Sequence, residues 1–310
     1  MKILLTGATG FVGGAVLDKL KFNDVRVLGR SRPELAEVDF VAAEIKSNVN
    51  YLAALVGVGV IIHSAARVHI MDENVEDPLK AFRDVNTFGT LNLAQQAAVA
   101  GVKRFIFISS IKVNGEGTQL NEQYHYNDQA LPEDAYGQSK SEAEIGLRKI
   151  AQETGMEVVI IRPPLVYGPG VKANFAAMMN VAAKNLPLPL GAIHNKRNLV
   201  ALENLVDLIV TCIDHPKAAN ETFLVSDDQD VSTTELLNKM TVAAGKKPWL
   251  IPVPMKLIQL AATILGKKSV ADRLCGNLQV DISHTKEVLN WTPPITLEQG
   301  LARCFHGKVN

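Results

Sequence analysis

The sequence has few cysteines and no excess of charge of either sign. Its 310 residues include three cysteines, Cys212, Cys275 and Cys304, and no two of them form a CxxC pair. An odd number of widely separated cysteines argues against a disulfide framework and is typical of a reducing compartment. The 32 basic residues balance 32 acidic ones, so the overall charge predicts neither a nucleic acid nor an anionic membrane as partner.

Long apolar runs and metal-binding motifs are also lacking. The most apolar stretch, Leu257–Leu265, is shorter than the about 20 residues that span a bilayer and is interrupted by Gln259. We interpret it as a buried or interfacial helix, with membrane contact the less favoured alternative. No signal peptide precedes the first strand, so a cytoplasmic protein is expected. Four histidines have no partner at metal-ligand spacing, and no metal is expected there: His69, His125, His194 and His284.

Short apolar runs alternate with longer helical patterns over the first two thirds of the chain. The pattern predicts strands at Ile3–Leu5, Val25–Leu28, Val60–His63, Arg104–Ile108 and Val158–Arg162. It predicts helices at Val12–Lys21, Pro78–Ala100 and Ala135–Thr154. This alternation indicates βαβ units, and therefore an α/β fold with a doubly wound parallel sheet.

The strand–helix alternation ends after Arg162, where proline and glycine become frequent. Shorter elements follow, which indicates a smaller, loop-rich α/β lobe. We predict a dinucleotide-binding domain over residues 1–166, completed by strands and helices from about 197–226. The substrate-binding lobe would comprise about 167–196 and 227–305, and residues 306–310 would form a tail.

Three glycines lie between the first strand and the first helix. Gly7, Gly10 and Gly13 recur at every third position. The chain must turn sharply there, approach a pyrophosphate closely and pack a helix on the sheet, and each requirement favours a residue without Cβ. The free N–H groups of the helix N-terminus then face the anion. This context predicts dinucleotide binding.

The end of the second strand bears on the choice of cofactor. It leads into Arg30, Ser31 and Arg32, with no acidic residue before Glu34. An NAD-selective site usually has a carboxylate here for the ribose hydroxyls, whereas arginines can bind a 2′-phosphate. We therefore favour NADP(H), with NAD(H) as the alternative.

Tyr136 and Lys140 are spaced to share one face of a helix, and Ser109 and Ser110 end the preceding strand. A phenol with a pKa of about 10 is a poor base at neutral pH, and an adjacent ammonium is expected to lower that pKa. A serine hydroxyl can bind the same substrate oxygen. These groups together can move a proton while a hydride leaves or reaches carbon.

The ordered motifs resemble the extended short-chain dehydrogenases/reductases, specifically the NAD-dependent epimerase/dehydratase family and its UDP-galactose 4-epimerase-like group. The resemblance covers nearly the whole chain, and the implied fold is of the Rossmann type. It rests on TGATGFVG, IIHSAA, DVNTFGTLNL, FISSIKVNG, YGQSK, RPPLVYGPG and LNWTPPITLEQGL.

The resemblance implies roles for residues at matching positions. Tyr136 would be the acid/base, Lys140 its modulator and ribose anchor, and Ser110, three residues before Val113, the hydroxyl donor. The implied cofactor contacts are Gly7, Gly10, Phe11, Val12 and Gly13 at the pyrophosphate, Glu44 and Ile45 at adenine, Ala65 and Ala66 at the phosphates and ribose, Asn86 near the active site, and Pro163 and Pro164 at the nicotinamide.

Departures from the family patterns narrow the implied reaction. Dehydratases have Thr-Asp-Glu where this chain has Ser110-Ile111-Lys112, so dehydration is not expected. The implied activity is hydride transfer at C4 of a UDP-hexose or UDP-N-acetylhexosamine in surface-polysaccharide synthesis. We favour a 4-keto reductase. The alternative is a 4-epimerase with tightly held NAD, and a remote one is a non-catalytic cofactor-sensing regulator.

The substrate-binding residues are also implied by the resemblance. Arg197 matches a phosphate-binding arginine, and Arg273 is a second candidate that can equally be an ordinary surface charge. Leu165 replaces an asparagine that many members use for phosphate. The other candidate contacts are Lys112, Asn174, Phe175 and Leu190, the last within a possible uracil-binding stretch, Leu188–Leu190.

The resemblance also predicts a homodimer. Relatives pair through the helices that correspond to Pro78–Ala100 and Ala135–Thr154, which form a four-helix bundle. Both segments have enough apolar positions to pack on the sheet and on a partner chain. Light scattering at micromolar concentration should give twice the mass of one chain. A monomer mass under those conditions would count against the prediction.

Overall fold

A computed structural model describes residues 1–21, 23–34, 38–68 and 76–306. Within them a seven-stranded parallel sheet has the order β3-β2-β1-β4-β5-β6-β9, and β7 and β8 form a separate parallel pair. The predicted α/β, Rossmann-type sheet is therefore confirmed. The strands are β1 Lys2–Thr6, β2 Val25–Gly29, β3 Asp39–Ala42, β4 Val58–His63, β5 Arg104–Ile108, β6 Glu157–Arg162, β7 Leu165–Tyr167, β8 Leu199–Ala201 and β9 Thr222–Leu224.

The helices include a π-helical segment, Arg83–Gly89, between α3 and α4, and two short 3₁₀ turns, Ile111–Val113 and Pro216–Ala218. The α-helices are α1 Phe11–Lys19, α2 Leu52–Leu55, α3 Pro78–Phe82, α4 Thr90–Val99, α5 Ala135–Thr154, α6 Ala173–Lys184, α7 Leu202–Thr211, α8 Thr233–Ala243, α9 Met255–Ile264, α10 Lys268–Cys275, α11 Ser283–Leu289 and α12 Leu297–His306.

Helices cover both faces of the main sheet because its strands are apolar on both sides. In β5, Ile106 and Ile108 belong to the core beneath α1 and α7, whereas Phe105 and Phe107 belong to the core beneath α2, α4 and α5. Alternate side chains of a strand point to opposite faces, so a strand buried on both sides must be apolar throughout.

A further core, separate from the two that cover the faces of the main sheet, lies beside that sheet. Tyr167 and Phe175 stack there with ring centroids 5.2 Å apart, among buried residues of α8 and α12. The capping box between Ser232 and Glu235 starts α8. β9 joins the edge of the main sheet, whereas β7, which begins at Leu165, pairs with β8 outside it. The tail proposed at 306–310 lies, except for its first residue, outside the described part of the chain.

Helix α9 is not a buried helix, and that part of the sequence-based interpretation is wrong. None of its residues is buried, and Leu257, Leu260 and Ile264 are 55%, 57% and 76% exposed. The apolar pattern predicted a helix correctly, but it could not show that the helix lies at the surface. Among the described residues, no helix is long and apolar enough to cross a membrane.

A buried histidine ties three core elements together. His63, at the end of β4, has one ring nitrogen 2.8 Å from the Thr6 hydroxyl oxygen of β1 and the other 2.9 Å from that of Thr90 in α4. Burial, with a smaller contribution from the charge of Lys140, lowers the pKa of His63 to about 3. The imidazole is therefore neutral in the folded protein at neutral pH.

This histidine should make the fold sensitive to acid. Its folded pKa lies below the ordinary 6.5, so between pH 6.5 and 3 the unfolded chain binds a proton that the folded chain does not. As the pH is lowered through that window, this group should decrease the free energy of unfolding by up to about 1.4 kcal/mol per pH unit. Urea unfolding at several pH values should show a shallower dependence for His63→Asn than for wild type, whereas exposed His194→Asn should keep the wild-type slope. Equal slopes for all three proteins would refute the assignment.

Candidate active site

The glycine turn between β1 and α1 leaves no room for side chains. A Cβ on Gly7, whose φ is +74°, would lie 2.6 Å from the Ala65 nitrogen, and one on Gly13 would lie 2.1 Å from the Gly7 carbonyl oxygen. The Gly10 N–H donates to that same carbonyl at 2.8 Å. The turn is therefore as tight as the glycine spacing predicted, and it brings α1 against the loop that follows β4.

The N-terminus of α1 is suited to an anion. Gly10 is the N-cap residue and supplies no side-chain cap, so the first N–H groups, including those of Phe11 and Val12, have no capping side chain. Partly buried Ala65 and Ala66 lie on the neighbouring loop, where the Ala65 N–H donates to the Thr6 hydroxyl at 3.2 Å. Free N–H groups beside a cradle that a Cβ would fill are what a dinucleotide pyrophosphate needs.

Arg32, the second arginine after β2, is engaged with the protein itself. Arg32 donates to the Val38 carbonyl at 3.2 Å and lies over the Phe40 ring, 5.3 Å from its centroid. Glu44 follows β3, and a hydrogen bond from Lys46, with a smaller effect of the Arg30 charge, lowers the pKa of Glu44. A carboxylate therefore shares this end of the site with Arg30, which the sequence order alone did not reveal.

Two side chains expected at the cofactor are instead structural. Ile45 is buried in the core, where Gly89 lets it approach, since a Cβ there would lie 2.8 Å from its Cγ2. Asn86 is fully buried in the π-helical segment: its amide oxygen accepts from the Arg67 N–H at 2.8 Å, and its amide nitrogen donates to the Arg67 carbonyl and the Ser139 hydroxyl. Asn86 thus fixes the loop beside Ala66, and only through that loop can it act on a cofactor.

Helix α5 carries Tyr136 in its first turn, directly after its cap. The Asp134 carboxylate accepts from the Gly137 N–H at 2.6 Å, which ends the preceding loop and fixes where the helix begins. The Tyr136 ring packs edge-on against Phe82, with centroids 5.8 Å apart. The Lys140 ammonium lies 6.0 Å from the Tyr136 ring centroid and donates to the Ile108 carbonyl at 2.8 Å.

The electrostatics of this pair differ from our expectation. Burial, with a smaller contribution from the Asp134 carboxylate, raises the pKa of Tyr136 to about 12. Burial lowers the pKa of Lys140 to about 7, against the opposing effect of Glu144. The expected lowering of the phenol pKa by Lys140 is therefore not observed, because desolvation penalises the charged form of both groups.

Ser109, which precedes Ser110, has a structural role. The Ser109 hydroxyl donates to the Glu144 carboxylate at 2.5 Å and is buried. Half-buried Ser110 caps the following 3₁₀ turn, and its oxygen accepts only a long, 3.3 Å hydrogen bond from the Lys112 N–H. This arrangement favours Ser110 as the hydroxyl that can meet a ligand. The Pro163 carbonyl accepts from the Ile111 N–H at 3.0 Å, which brings Pro163 beside this turn.

A buried ion pair beneath the site was missed in the sequence. Arg162, the last residue of β6, donates to both carboxylate oxygens of Glu144, at 2.9 and 2.6 Å, and to the Asn114 amide oxygen at 3.0 Å. Glu144 lies one turn after Lys140 and two turns after Tyr136 on α5. Its spacing in YGQSKSEAE could have indicated that it faces inward with them.

Arg197 contacts the backbone of α10, the helix that carries Arg273. The Arg197 guanidinium donates to the backbone carbonyls of Arg273 and Gly276 at 2.8 and 3.1 Å. Burial lowers the pKa of Arg197, and among the described residues no carboxylate pairs with it. Arg273 is exposed on α10. A partly buried cation held by neutral carbonyls keeps its charge for a ligand anion.

Other predicted substrate contacts have different surroundings. Lys112 forms ion pairs with Asp134 and Glu116; these outweigh the effect of burial and raise its pKa. Phe175 is buried in the lobe core, so its ring cannot meet a substrate, whereas Asn174 is exposed at the start of α6. The Leu190 carbonyl accepts from the Thr234 hydroxyl at 2.6 Å.

Among the described residues, no group of three or more His, Cys, Asp or Glu side chains is arranged to hold a metal ion. His125 contacts Asp281 at 3.0 Å, His284 contacts Glu221 at 2.9 Å, and His194 is exposed. His69 lies outside the described residues.

The buried ion pair yields a matched test on one helix. Glu144→Gln should lower the free energy of unfolding by about 3 kcal/mol or more, because buried Arg162 loses its counter-charge. Glu142→Gln is the control, since Glu142 pairs with Arg83 at the half-exposed surface of the same helix and should have a much smaller effect. Urea denaturation of the three proteins gives the comparison, and similar losses for both variants would contradict the assigned role.

Solved structures of two UDP-sugar 4-epimerases share this architecture. A UDP-glucose 4-epimerase structure from Thermotoga maritima with UDP-glucose superposes with a TM-score of 0.79 at 22% identity, covering 99% of this chain and 98% of that chain. A UDP-glucuronic acid 4-epimerase from Bacillus cereus in complex with NAD gives 0.78 at 19% identity, with the same coverage. These likenesses show the fold.

Similarity in sequence identifies the family of this chain. A protein of Vibrio cholerae named UDP-glucose 4-epimerase is 52% identical over 303 residues, which cover 96% of this chain and 92% of that one. The model of the NAD dependent epimerase/dehydratase family matches residues 3–226. The chain therefore belongs to the NAD dependent epimerase/dehydratase family, as its ordered motifs predicted.

Proposed function

We propose that this protein is an NAD-dependent 4-epimerase of UDP-sugars. The observation that carries the proposal is the 52% identity, over nearly the whole chain, to the Vibrio cholerae protein of that name. The site supports it, because Tyr136, Lys140 and Ser110 lie where β5 and α5 meet, beside the dinucleotide cradle. The family is one of enzymes, and the chain keeps both Tyr136 and Lys140, so a purely sensory role has no support.

The chain's own residues then perform the proton transfers. The glycine turn and the N-terminus of α1 would hold NAD, which would supply a hydride acceptor for C4 and then a hydride donor to the opposite face of that carbon. Tyr136 takes the proton of the C4 hydroxyl during oxidation and gives it back during reduction, and Ser110 donates a hydrogen bond to that oxygen. The raised pKa of Tyr136 favours the neutral phenol that the reduction requires. Oxidation instead starts from the phenolate, which protonated Lys140, 6.0 Å from the ring centroid, stabilises.

The comparisons favour an epimerase over the 4-keto reductase that we had preferred. That preference depended on Arg30 and Arg32 as ligands of a 2′-phosphate. Arg32 is occupied by Val38 and Phe40, and Arg30 lies near the Glu44 carboxylate. Arg32 is therefore not a free ligand for a 2′-phosphate, and the NAD dependent family model and the NAD-bound Bacillus cereus relative support NAD over NADP(H). The Ser110-Ile111-Lys112 sequence again gives no support for dehydration.

The substrate's pyrophosphate would be bound by the second lobe. Arg197 is the main candidate because the carbonyls of Arg273 and Gly276 orient it without neutralising it. Arg273 lies on the adjacent helix and can supply a second cation. Lys112 is a weaker candidate, since Asp134 and Glu116 already balance its charge.

The direct test is turnover without added cofactor. Purified protein should interconvert UDP-glucose and UDP-galactose with no NADPH supplied, because the hydride returns to the substrate. UDP-N-acetylglucosamine, assayed in parallel, identifies the preferred sugar. Product formation that requires stoichiometric NADPH and a 4-keto substrate would instead establish the reductase.

Removal of one hydroxyl should abolish most of this activity. Tyr136→Phe should lower kcat by about 10²–10⁴-fold while cofactor affinity is retained, because a positioned acid–base group contributes that much. Tyr126→Phe is the control: that ring stacks on His284 at 3.6 Å, and its hydroxyl has no proposed role. Near-wild-type turnover by Tyr136→Phe would refute the assignment.

A further inference from the structure

The segment 246–271, called here the basic apolar surface, exposes apolar side chains that a surface helix normally buries. The face of α9 that is partly buried carries Met255, Ile258, Gln259 and Ala262. The opposite, exposed face carries Leu257, Leu260, Ala261 and Ile264, at the i, i+3, i+4, i+7 spacing of one helix stripe. A surface helix normally buries its apolar stripe, so this exposed stripe calls for a partner.

Apolar residues that flank α9 extend this stripe into a patch. Trp249 is 60% exposed, and Ile251, Leu265 and Val270 are 45%, 71% and 49% exposed. The sequence has two tryptophans. The other one, Trp291, is 6% exposed, and its indole N–H donates to the Asp207 carboxylate at 2.8 Å. Of the two tryptophans, the one in this segment is therefore the exposed one.

The charge of the same segment selects the kind of partner. Between residues 246 and 271 there is no acidic residue, and there are five exposed lysines: Lys246, Lys247, Lys256, Lys267 and Lys268. Among the described residues, none of these ammonium groups forms an ion pair. A chain whose total charge is zero thus concentrates five uncompensated positive charges around one apolar stripe. The balanced composition had concealed this asymmetry.

We propose that the basic apolar surface binds the surface of an anionic phospholipid bilayer. An interfacial helix combines an apolar face, flanking lysines and tryptophan, which are the three features present here. At about 1.5 Å per residue, α9 is roughly 15 Å long, half the bilayer core, so it lies in the interface and does not span it. The lysine stems reach along the apolar surface while their ammonium groups contact lipid phosphates.

A second copy of the chain is a poorer occupant. Two copies of this surface would place ten lysines together with no carboxylate of the segment to balance them. The predicted homodimer uses other helices, those over Pro78–Ala100 and Ala135–Thr154, where Phe88 of the π-helical segment and Ile145 of α5 are 48% and 63% exposed. The proposal is independent of the proposed function, because none of the residues that carry it belongs to the catalytic or phosphate-binding groups.

Vesicle co-sedimentation of the full-length protein tests the proposal. Wild type should sediment with vesicles of phosphatidylcholine and phosphatidylglycerol, and much less with phosphatidylcholine alone or at high salt. Leu257→Gln/Leu260→Gln/Ile264→Gln should weaken the partition coefficient by about tenfold or more, since the apolar contact is lost. Lys267→Gln/Lys268→Gln should weaken it by about fivefold for each lysine.

Matched controls have similar exposure elsewhere in the protein. Leu52→Gln/Val56→Gln removes two exposed apolar side chains near α2, and Lys103→Gln/Lys217→Gln removes two exposed lysines. Both should sediment as wild type does. All patch variants should keep wild-type turnover of a soluble UDP-sugar and a wild-type circular dichroism spectrum, so loss of activity and loss of membrane binding are distinguishable.

Three outcomes would overturn the proposal. Failure of wild type to sediment with anionic vesicles would exclude the membrane directly. Both patch variants could sediment as strongly as the controls, which would place the binding surface elsewhere. Alternatively, light scattering could show that the triple glutamine variant loses a self-associated form while wild type never binds vesicles, in which case the surface pairs two copies of the chain.

Discussion

The carboxylate of Glu144 joins α5 to the ends of β5 and β6, and the active-site geometry depends on this contact. It accepts hydrogen bonds from Ser109 on one side and Arg162 on the other, all in a buried environment. Because a carboxylate buried without partners is costly, these contacts hold the helix in one register against the sheet. Lys140 and Tyr136 precede Glu144 by one and two turns, so the same register positions them.

That register also determines which groups remain available for chemistry. Ser109 is occupied by Glu144, which leaves Ser110 at the strand end, and Lys140 donates to the Ile108 carbonyl beneath the tyrosine ring. Low dielectric surroundings raise the pKa of Tyr136 and lower that of Lys140. Burial therefore favours the neutral form of both groups. A phenolate at Tyr136 needs a positive charge close to the ring, and protonated Lys140, 6.0 Å from the ring centroid, can supply one.

Local patterns in the sequence predicted the elements that depend on local physics. The strands, the glycine turn and the Tyr136–Lys140 helix face each follow from spacing over a few residues. Contacts between distant segments did not follow from spacing, as the pairing of Arg162 with Glu144 and of Asn86 with the Arg67 loop shows. The exposure of α9 was missed for the same reason, because periodicity identifies an apolar face but does not identify what covers it. The pKa of Tyr136 depends on burial, which a sequence does not display.

The central claim is that one carbon loses a hydride and receives it back within a single active site. UDP-glucose deuterated at C4 tests it most directly, with the product analysed by mass spectrometry and NMR. The account predicts UDP-galactose that retains deuterium at C4, with none released to solvent or to free cofactor. Deuterium that appears on a dissociated nicotinamide, or a product with hydrogen at C4, would contradict a returned hydride and with it the proposed epimerase.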